Sequence, residues 1–299
     1  MYYSLISQFR GALFGSYIGE ALDFNRCGYQ QNPQQYDVFK LSIEGLINSN
    51  LLTVENWIVY QQQLWSELNS TEGLPLQLVF NFIPTVLLFH DSPVRLRQVL
   101  VSAINNSGYN ATIQDGILAV AYTISQSLTQ KLYIDKIIPQ TIDFIGQTTT
   151  DLPSSLLQVS NLIGSNKSLE EVGINLTSYH KLTQTIATAF YCFLSTTEDF
   201  QASILRSHLL SDPLQGLSAI VGALSGAHNN IIGIPSKWLS GHLPVKSTVT
   251  NGLTDYFQML ELADVLMAIW SGACKLMPYS RQTNEPLQII ANARAMGLR

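Results

Sequence analysis

The chain has 299 residues, of which 46% are hydrophobic and only 12% are charged, and its formal net charge is −5. This hydrophobic content is sufficient for a sizeable core, whereas the charged fraction is about half of the ~25% that soluble domains usually carry. Its 16 Lys and Arg residues form no run or stripe, which argues against a nucleic-acid surface and an anionic membrane surface. A surface with so few charges is prone to association, so we expect a protein partner or a homo-oligomer.

Apolar residues recur at three- and four-residue steps along most of the chain, which predicts helices almost throughout. The first predicted helix, residues 3–22, carries Gly11, Gly15 and Gly19 on one face, where a second backbone can approach closely. A polar loop without periodicity follows at residues 28–37. Further helices are predicted at residues 38–47, 54–67, 76–88, 93–105, 111–127, 132–146, 152–163, 168–172, 181–195, 199–211, 213–232 and 252–270. The pattern therefore predicts an all-α fold.

The domain organisation is predicted to be simple. No strand-like alternation of convincing length, no flexible linker and no tandem repeat divides the sequence. We predict one helical domain over residues 1–278 and a polar tail or short helix over residues 279–299. Within the domain, Ser92 is expected to cap a helix whose first residue is Pro93.

Cysteine usage and the apolar runs bear on the compartment. Three cysteines, Cys27, Cys192 and Cys274, lie far apart and form no C-x-x-C motif, which predicts neither a disulfide scaffold nor a zinc site and fits a reducing compartment. Arg10 interrupts the first apolar stretch, unlike a signal peptide, and no apolar run reaches the ~18 residues of a membrane-spanning helix. We predict a cytoplasmic protein without membrane insertion.

Five ordered segments carry recognisable patterns: "GALFGSYIGEALD" at 11–23, "FNFIPTVLLFHDSPVRL" at 80–96, "IQDGILAVAYTISQSL" at 113–128, "TAFYCFLSTTEDFQASILRS" at 188–207 and "AIVGALSGAHNNIIGIPSKW" at 219–238. Together they resemble the ADP-ribosylglycohydrolase family, the all-helical hydrolases that include the dinitrogenase-reductase-activating glycohydrolase. The last segment matches the family pattern A-I-A-G-A-L-A-G-A-x-x-G-x-x-x-I-P-x-x-W nearly position for position. The first resembles G-A-L-x-G-x-x-x-G-D-A-L-G, with Glu20 in place of the aspartate.

The resemblance implies a single compact orthogonal bundle of helices and a hydrolysis in which two Mg²⁺ ions activate water and hold a ribose. In the family, the metal ligands are oxygen atoms of a T-D-D-T loop after the first helix and of a G-D-T-D-T motif at the start of a late helix. Carboxylates suit this role because Mg²⁺ is a hard cation that prefers octahedral oxygen ligands.

The late motif is altered in this chain. Pro213 and Gln215 stand where the two aspartates are expected, and Gly216 replaces the threonine. A proline offers no side-chain ligand, and a glutamine offers one neutral oxygen. We interpret Asp212 as the N-cap of a helix that begins at Pro213, with Gln215 at the capping-box position.

The early motif is altered as well. The loop before the second helix reads "NPQQYD", in which Gln34 and Gln35 lie near the missing carboxylates. Asp37 is interpreted as the cap of the helix that follows it. Glu20 and Asp23 remain on the first helix as candidate catalytic residues, and either can face a cleft or the solvent. Together, the altered positions of both motifs form a predicted vestigial cleft: Gln34, Gln35, Asp37, Asp212 and Gln215.

No replacement chemistry is visible elsewhere in the sequence. The five histidines share no H-E-x-x-H or His-x-His spacing, and phosphate-loop and nucleophile-elbow motifs are absent. Cys192 lies in the apolar stretch "AFYCFL" and is interpreted as an inert core residue. His228 is interpreted as a histidine whose hydrogen bonds are satisfied in the core or at the surface.

We therefore predict a degenerate family member with no cofactor, which serves as a protein-binding, scaffolding or regulatory module. Aromatic residues suited to a protein–protein surface occur in the first third of the chain: Tyr29, Tyr36, Trp57, Tyr60 and Trp65. One alternative is a divergent hydrolase that uses Glu20, Asp23, Asp37 and Asp212 with one magnesium ion. A second alternative is a sensor that binds an ADP-ribose-like ligand or another nucleotide without cleaving it.

Overall fold

The computed structural model describes residues 4–27, 82–107, 110–165, 167–210, 214–239 and 252–273. This part of the chain is helical and contains no strand, so the all-α prediction is confirmed. Its helices are α1 Leu5–Cys27, α2 Ile83–Phe89, α3 Pro93–Ser107, α4 Ala111–Leu128, α5 Ile134–Ile145, α6 Leu152–Gly164, α7 Leu169–Leu176, α8 Lys181–Leu194, α9 Phe200–His208, α10 Leu217–Asn229, α11 Ser236–Leu239 and α12 Gly252–Trp270, with a 3-10 turn at Ile231–Gly233. The helices predicted at 38–47 and 54–67, the tail at 279–299 and the five aromatic residues named above lie outside the described residues.

A backbone-to-backbone contact joins α1 to α10, and we call it the glycine seam. Its members have four-residue spacing on both helices: Gly11, Gly15 and Gly19 on α1, and opposite them Gly226, Gly222 and Ser218 on α10. The helices are antiparallel, because the residue numbers rise on one side of the seam as they fall on the other. A Cβ atom added to Gly15 would overlap the Gly222 carbonyl oxygen, and one added to Gly222 would overlap that of Gly15. The predicted close approach of a second backbone to the glycine face is confirmed.

The two helices of the seam lie at the centre of the described fold. Helix α10 also packs against α4, α8 and α9, whereas α1 also packs against α2 and α12. The α1–α12 contact includes a bidentate ion pair, in which Arg10 Nε and Nη2 donate to the Asp264 carboxylate at 2.9 and 2.8 Å. None of the helices in the described ranges is long and apolar enough to cross a membrane.

The start of α3 agrees with the sequence. Pro93 is its first residue, and the Arg95 amide donates to Ser92 Oγ at 3.4 Å, as expected for a Ser cap followed by Pro.

The start of α10 differs from the sequence prediction. The helix begins at Leu217, because Gly216 has a left-handed backbone with φ = +74°, which a right-handed helix cannot continue through. Gln215 therefore lies in a turn before the helix, and its predicted capping-box role is wrong. Asp212 and Pro213, the predicted cap and first residue, lie outside the described residues. The helix also ends earlier than predicted, at Asn229.

The glycine seam makes a direct prediction about stability. We expect Gly222→Ala to lower the free energy of unfolding by at least about 2 kcal/mol, because backbone atoms on the facing helix cannot yield to the added methyl group. Gly164→Ala at the end of α6 is the matched control, since no atom of the described residues lies within 4 Å of an added Cβ there. Urea unfolding of both variants tests this, and equal stabilities would contradict the close packing of α1 on α10.

Candidate functional site

The last turns of α1 and the first turn of α10 meet at one end of the glycine seam. The Ser218 carbonyl lies against Gly19, and the Ser218 amide donates to the Asp23 carboxylate one turn further along α1. Glu20 lies between those two α1 positions in the sequence, and Gln215 lies three residues before Ser218. The structure therefore brings three of the predicted site residues to one junction: Glu20, Asp23 and Gln215.

Asp23 supplies the N-terminal cap of α10 from another helix. Its Oδ2 atom accepts hydrogen bonds from the amides of Ser218 at 2.9 Å and Ala219 at 3.4 Å, and the side chain is only 7% exposed. The residue at the local cap position, Gly216, has no side chain to offer. A carboxylate here pairs two of the unpaired amides of the first turn and places negative charge at the positive end of the helix dipole.

A buried serine pair extends this junction to a third helix. Ser207 Oγ, near the end of α9, donates to Ser218 Oγ at 2.8 Å, and both side chains are fully buried. The first turn of α10 is thus tied to α1 through its backbone and to α9 through its side chain.

Glu20 is in a different situation from Asp23. It is half-buried, and no hydrogen bond or ion pair to it occurs within the described ranges. Burial, followed by the negative charge of Asp23, raises the pKa of Glu20 to about 7. A carboxyl group with this pKa is part protonated at neutral pH, which is the range of a general acid or base.

The remaining candidate residues of the cleft are placed only in part. Gln215 is half-buried in the turn before α10. Gln34, Gln35, Asp37 and Asp212 lie outside the described residues. Within the ranges that the structure describes, no group of three or more His, Cys, Asp or Glu side chains is arranged to hold a metal ion.

Two residues interpreted from the sequence as structural are confirmed in that role. Cys192 is fully buried in α8, and burial raises the pKa of its thiol to about 12, which makes it unreactive. His228 lies with Nε2 3.3 Å from Glu198 Oε1, and its ring makes an edge contact with Phe193.

The cap supplied by Asp23 was not predicted from the sequence, and it can be tested by mutation. We expect Asp23→Ala to lower the free energy of unfolding by about 1–3 kcal/mol, because it leaves two buried amides of α10 without acceptors. Asp23→Asn should recover part of this loss, since an amide oxygen can still accept. Asp199→Ala, which removes an exposed local cap of α9, is the control, and the measurement is urea unfolding. An Asp23→Ala variant as stable as the parent chain would contradict the cap.

The raised pKa of Glu20 predicts a pH dependence. Its pKa of about 7 in the folded chain lies above the model value of 4.5, so the folded state binds the proton more tightly than the unfolded state. This contribution to stability is complete below about pH 4.5 and is lost as the pH rises to about 7. We therefore expect Glu20→Gln to be more stable than the parent by roughly 1–3 kcal/mol at pH 8, and the difference to shrink at pH 5.

Urea unfolding at the two pH values measures this difference. Glu170→Gln, at an exposed glutamate of α7, is the matched control. If the free energies of unfolding of the parent chain and of Glu20→Gln differ by the same amount at pH 5 and pH 8, the assignment to Glu20 is contradicted.

Comparison with known proteins agrees with this architecture. A family model described as ADP-ribosylglycohydrolase matches residues 48–272. A solved structure, "ADP-ribosylglycohydrolase-related protein complex", aligns with a TM-score of 0.58 and 13% identity over 89% of this chain and 99% of that chain, which shows the fold alone. None of the curated proteins matches the chain. Since the family model covers more than half of the sequence, the chain belongs to the ADP-ribosylglycohydrolase family.

Proposed function

We propose that this chain is a family member that retains the helical scaffold, lacks the dinuclear magnesium site and acts by binding a protein partner rather than by hydrolysis. The proposal rests on the role of Asp23 as the cap of α10. Its carboxylate, at the start of the helix where the family's late motif is expected, accepts two backbone hydrogen bonds from α10.

The donor groups that the structure describes at this junction do not fit a pair of Mg²⁺ ions. Such ions need several carboxylate oxygens to offset their charge. Pro213 offers no side-chain oxygen, and Gln215 offers one that is neutral. The Asp23 oxygen that points at α10 is occupied by amide protons, and Glu20 is held part protonated near neutral pH.

The surface supports a binding role. The chain carries few charges, and four large apolar side chains of the described surface are at least 67% exposed: Val94, Ile174, Leu209 and Ile232. Contact with a second protein, or with a second copy of the chain, would remove such groups from water. We also propose a cytoplasmic location, because the three scattered cysteines form no disulfide pattern and fit a reducing compartment.

Glu20 favours a second candidate, a divergent hydrolase. A half-buried carboxyl group with a pKa of about 7 is suited to transfer a proton at neutral pH. In this alternative, Glu20 and Asp23 act with Asp37 and Asp212 and a single magnesium ion.

An activity assay separates the two candidates. We expect the purified chain to release no ADP-ribose from ADP-ribosyl-arginine or from an ADP-ribose ester in the presence of excess Mg²⁺. An active enzyme of the family, assayed in parallel, should release ADP-ribose from the same substrates. Mg²⁺-dependent turnover that Glu20→Ala abolishes would overturn the proposal in favour of the hydrolase.

A thermal-unfolding assay covers the remaining alternative. A ligand at a hundredfold excess over its Kd stabilises the folded state by about 2.7 kcal/mol, which is readily measured. We expect neither Mg²⁺ nor ADP-ribose to raise the Tm. A rise with ADP-ribose, without turnover, would identify a nucleotide sensor instead of a protein-binding module.

A further inference from the structure

Asn230, directly after α10, has an unfavourable backbone conformation. Its φ and ψ angles are +56° and −178°, a combination that is essentially restricted to glycine. The residue is 1% exposed, so it is enclosed by protein atoms. A strained conformation of this kind persists only where the surrounding structure holds it.

Helix α1 holds Asn230 in this conformation. Ser7 Oγ, on the first turn of α1, donates to Asn230 Oδ1 at 3.0 Å, and the same oxygen accepts from the Ile232 amide at 2.8 Å. Gly11 provides the space for this contact, since a Cβ atom there would lie 2.7 Å from the Asn230 Cα atom. The strain is therefore balanced by contacts with one face of α1.

A second unfavourable feature lies at the same end of the glycine seam, near the end of α10. Gln8, next to Ser7, donates through Nε2 to the Ser127 carbonyl at 3.0 Å and to the Ala227 carbonyl at 3.1 Å. Its Oε1 atom is buried, and no group among the described residues donates a hydrogen bond to it. When a buried acceptor has no donor in the protein, burial costs it hydrogen bonds to water that are not replaced, so this contact also lowers the local stability.

The segment that follows Asn230 is suited to move separately. The 3-10 turn Ile231–Gly233, which we call the tip, has Ile232 79% exposed. Beyond the tip, Ile234 and Trp238 are only 2% and 1% exposed and fix the chain again. Only a few residues therefore need to change conformation for the tip to leave α1.

We propose that Ser7 and Asn230 form a strained latch, and that its release lets the tip leave α1 while α10 stays folded and solvent reaches the Gln8 acceptor. Openings of this kind are local transitions with a lower free energy than global unfolding. The latch makes the contact between α1 and the tip a two-state element of the fold.

Native-state hydrogen exchange of the full chain tests the latch, with the Ile234 amide as the probe because its acceptor is the Ile231 carbonyl within the tip. We expect Ser7→Ala to raise its exchange rate about fivefold, the change expected for one lost hydrogen bond. Ser16→Ala is the matched control, because among the described residues this buried α1 hydroxyl donates within its own helix, to the Leu13 carbonyl. Equal exchange in the two variants would overturn the role of Ser7.

Two substitutions of Asn230 separate strain from hydrogen bonding. Asn230→Gly and Asn230→Ala remove the same side-chain bonds and differ in whether the backbone conformation is tolerated. We expect the Ile234 amide to exchange at least about tenfold faster in Asn230→Ala than in Asn230→Gly. An alanine variant that fails to fold beside a folded glycine variant also supports the strain, whereas equal exchange overturns it.

The denaturant dependence decides whether the tip opens alone. We expect exchange at Ile234 to be nearly independent of low urea concentrations, while the Val221 amide in the middle of α10 follows global unfolding. If both amides respond to urea with the same slope, the tip does not open separately and the latch is wrong.

Discussion

The close antiparallel contact between α1 and α10 is the constraint on which the rest of the described fold depends. Glycines on both helices let the backbones approach at a distance that side chains would prevent. Because α1 is longer than α10, it reaches past both ends of its neighbour. Asp23 accepts from the first amides of α10, and Gln8 donates to the carbonyl of Ala227 near its end. One helix therefore supplies hydrogen bonds to both termini of the other.

The sequence could predict the glycine face of α1, but neither its partner helix nor the contacts at the ends of the seam. Four-residue glycine spacing is a local pattern, so the face at Gly11, Gly15 and Gly19 could be predicted before any partner was known. The partner of Asp23 is 195 residues away, and no local pattern connects the two. Asp212-Pro213 resembled a local cap, and this misled the prediction of where α10 begins. The left-handed Gly216 decides that boundary, and its conformation depends on tertiary context.

The same limit applies to the candidate site. The family pattern pointed to Glu20 and Asp23 as the carboxylates left on α1, and both lie at the junction with α10. Their roles depend on burial and on partners that spacing does not encode, so the sequence left open whether each faces a cleft or the solvent. At Asn230 the family pattern has a glycine, and the backbone conformation shows why. The asparagine keeps the conformation that glycine would adopt freely and is held in it by Ser7.

The position of Asp23 also determines the electrostatics at the start of α10. A helix N-terminus favours a negative charge, and here a buried carboxylate of the same chain provides it. Burial, together with that fixed charge, makes it unfavourable for Glu20 to ionise as well. At neutral pH, the described part of the junction therefore holds the Asp23 carboxylate, which is hydrogen-bonded to α10, and the Glu20 carboxyl group, which is part protonated. Divalent cations need several ionised oxygens that are free to turn toward them. If Asp23 stabilises the start of α10 and Glu20 is part protonated, the same two side chains are poorly suited to bind such a cation there.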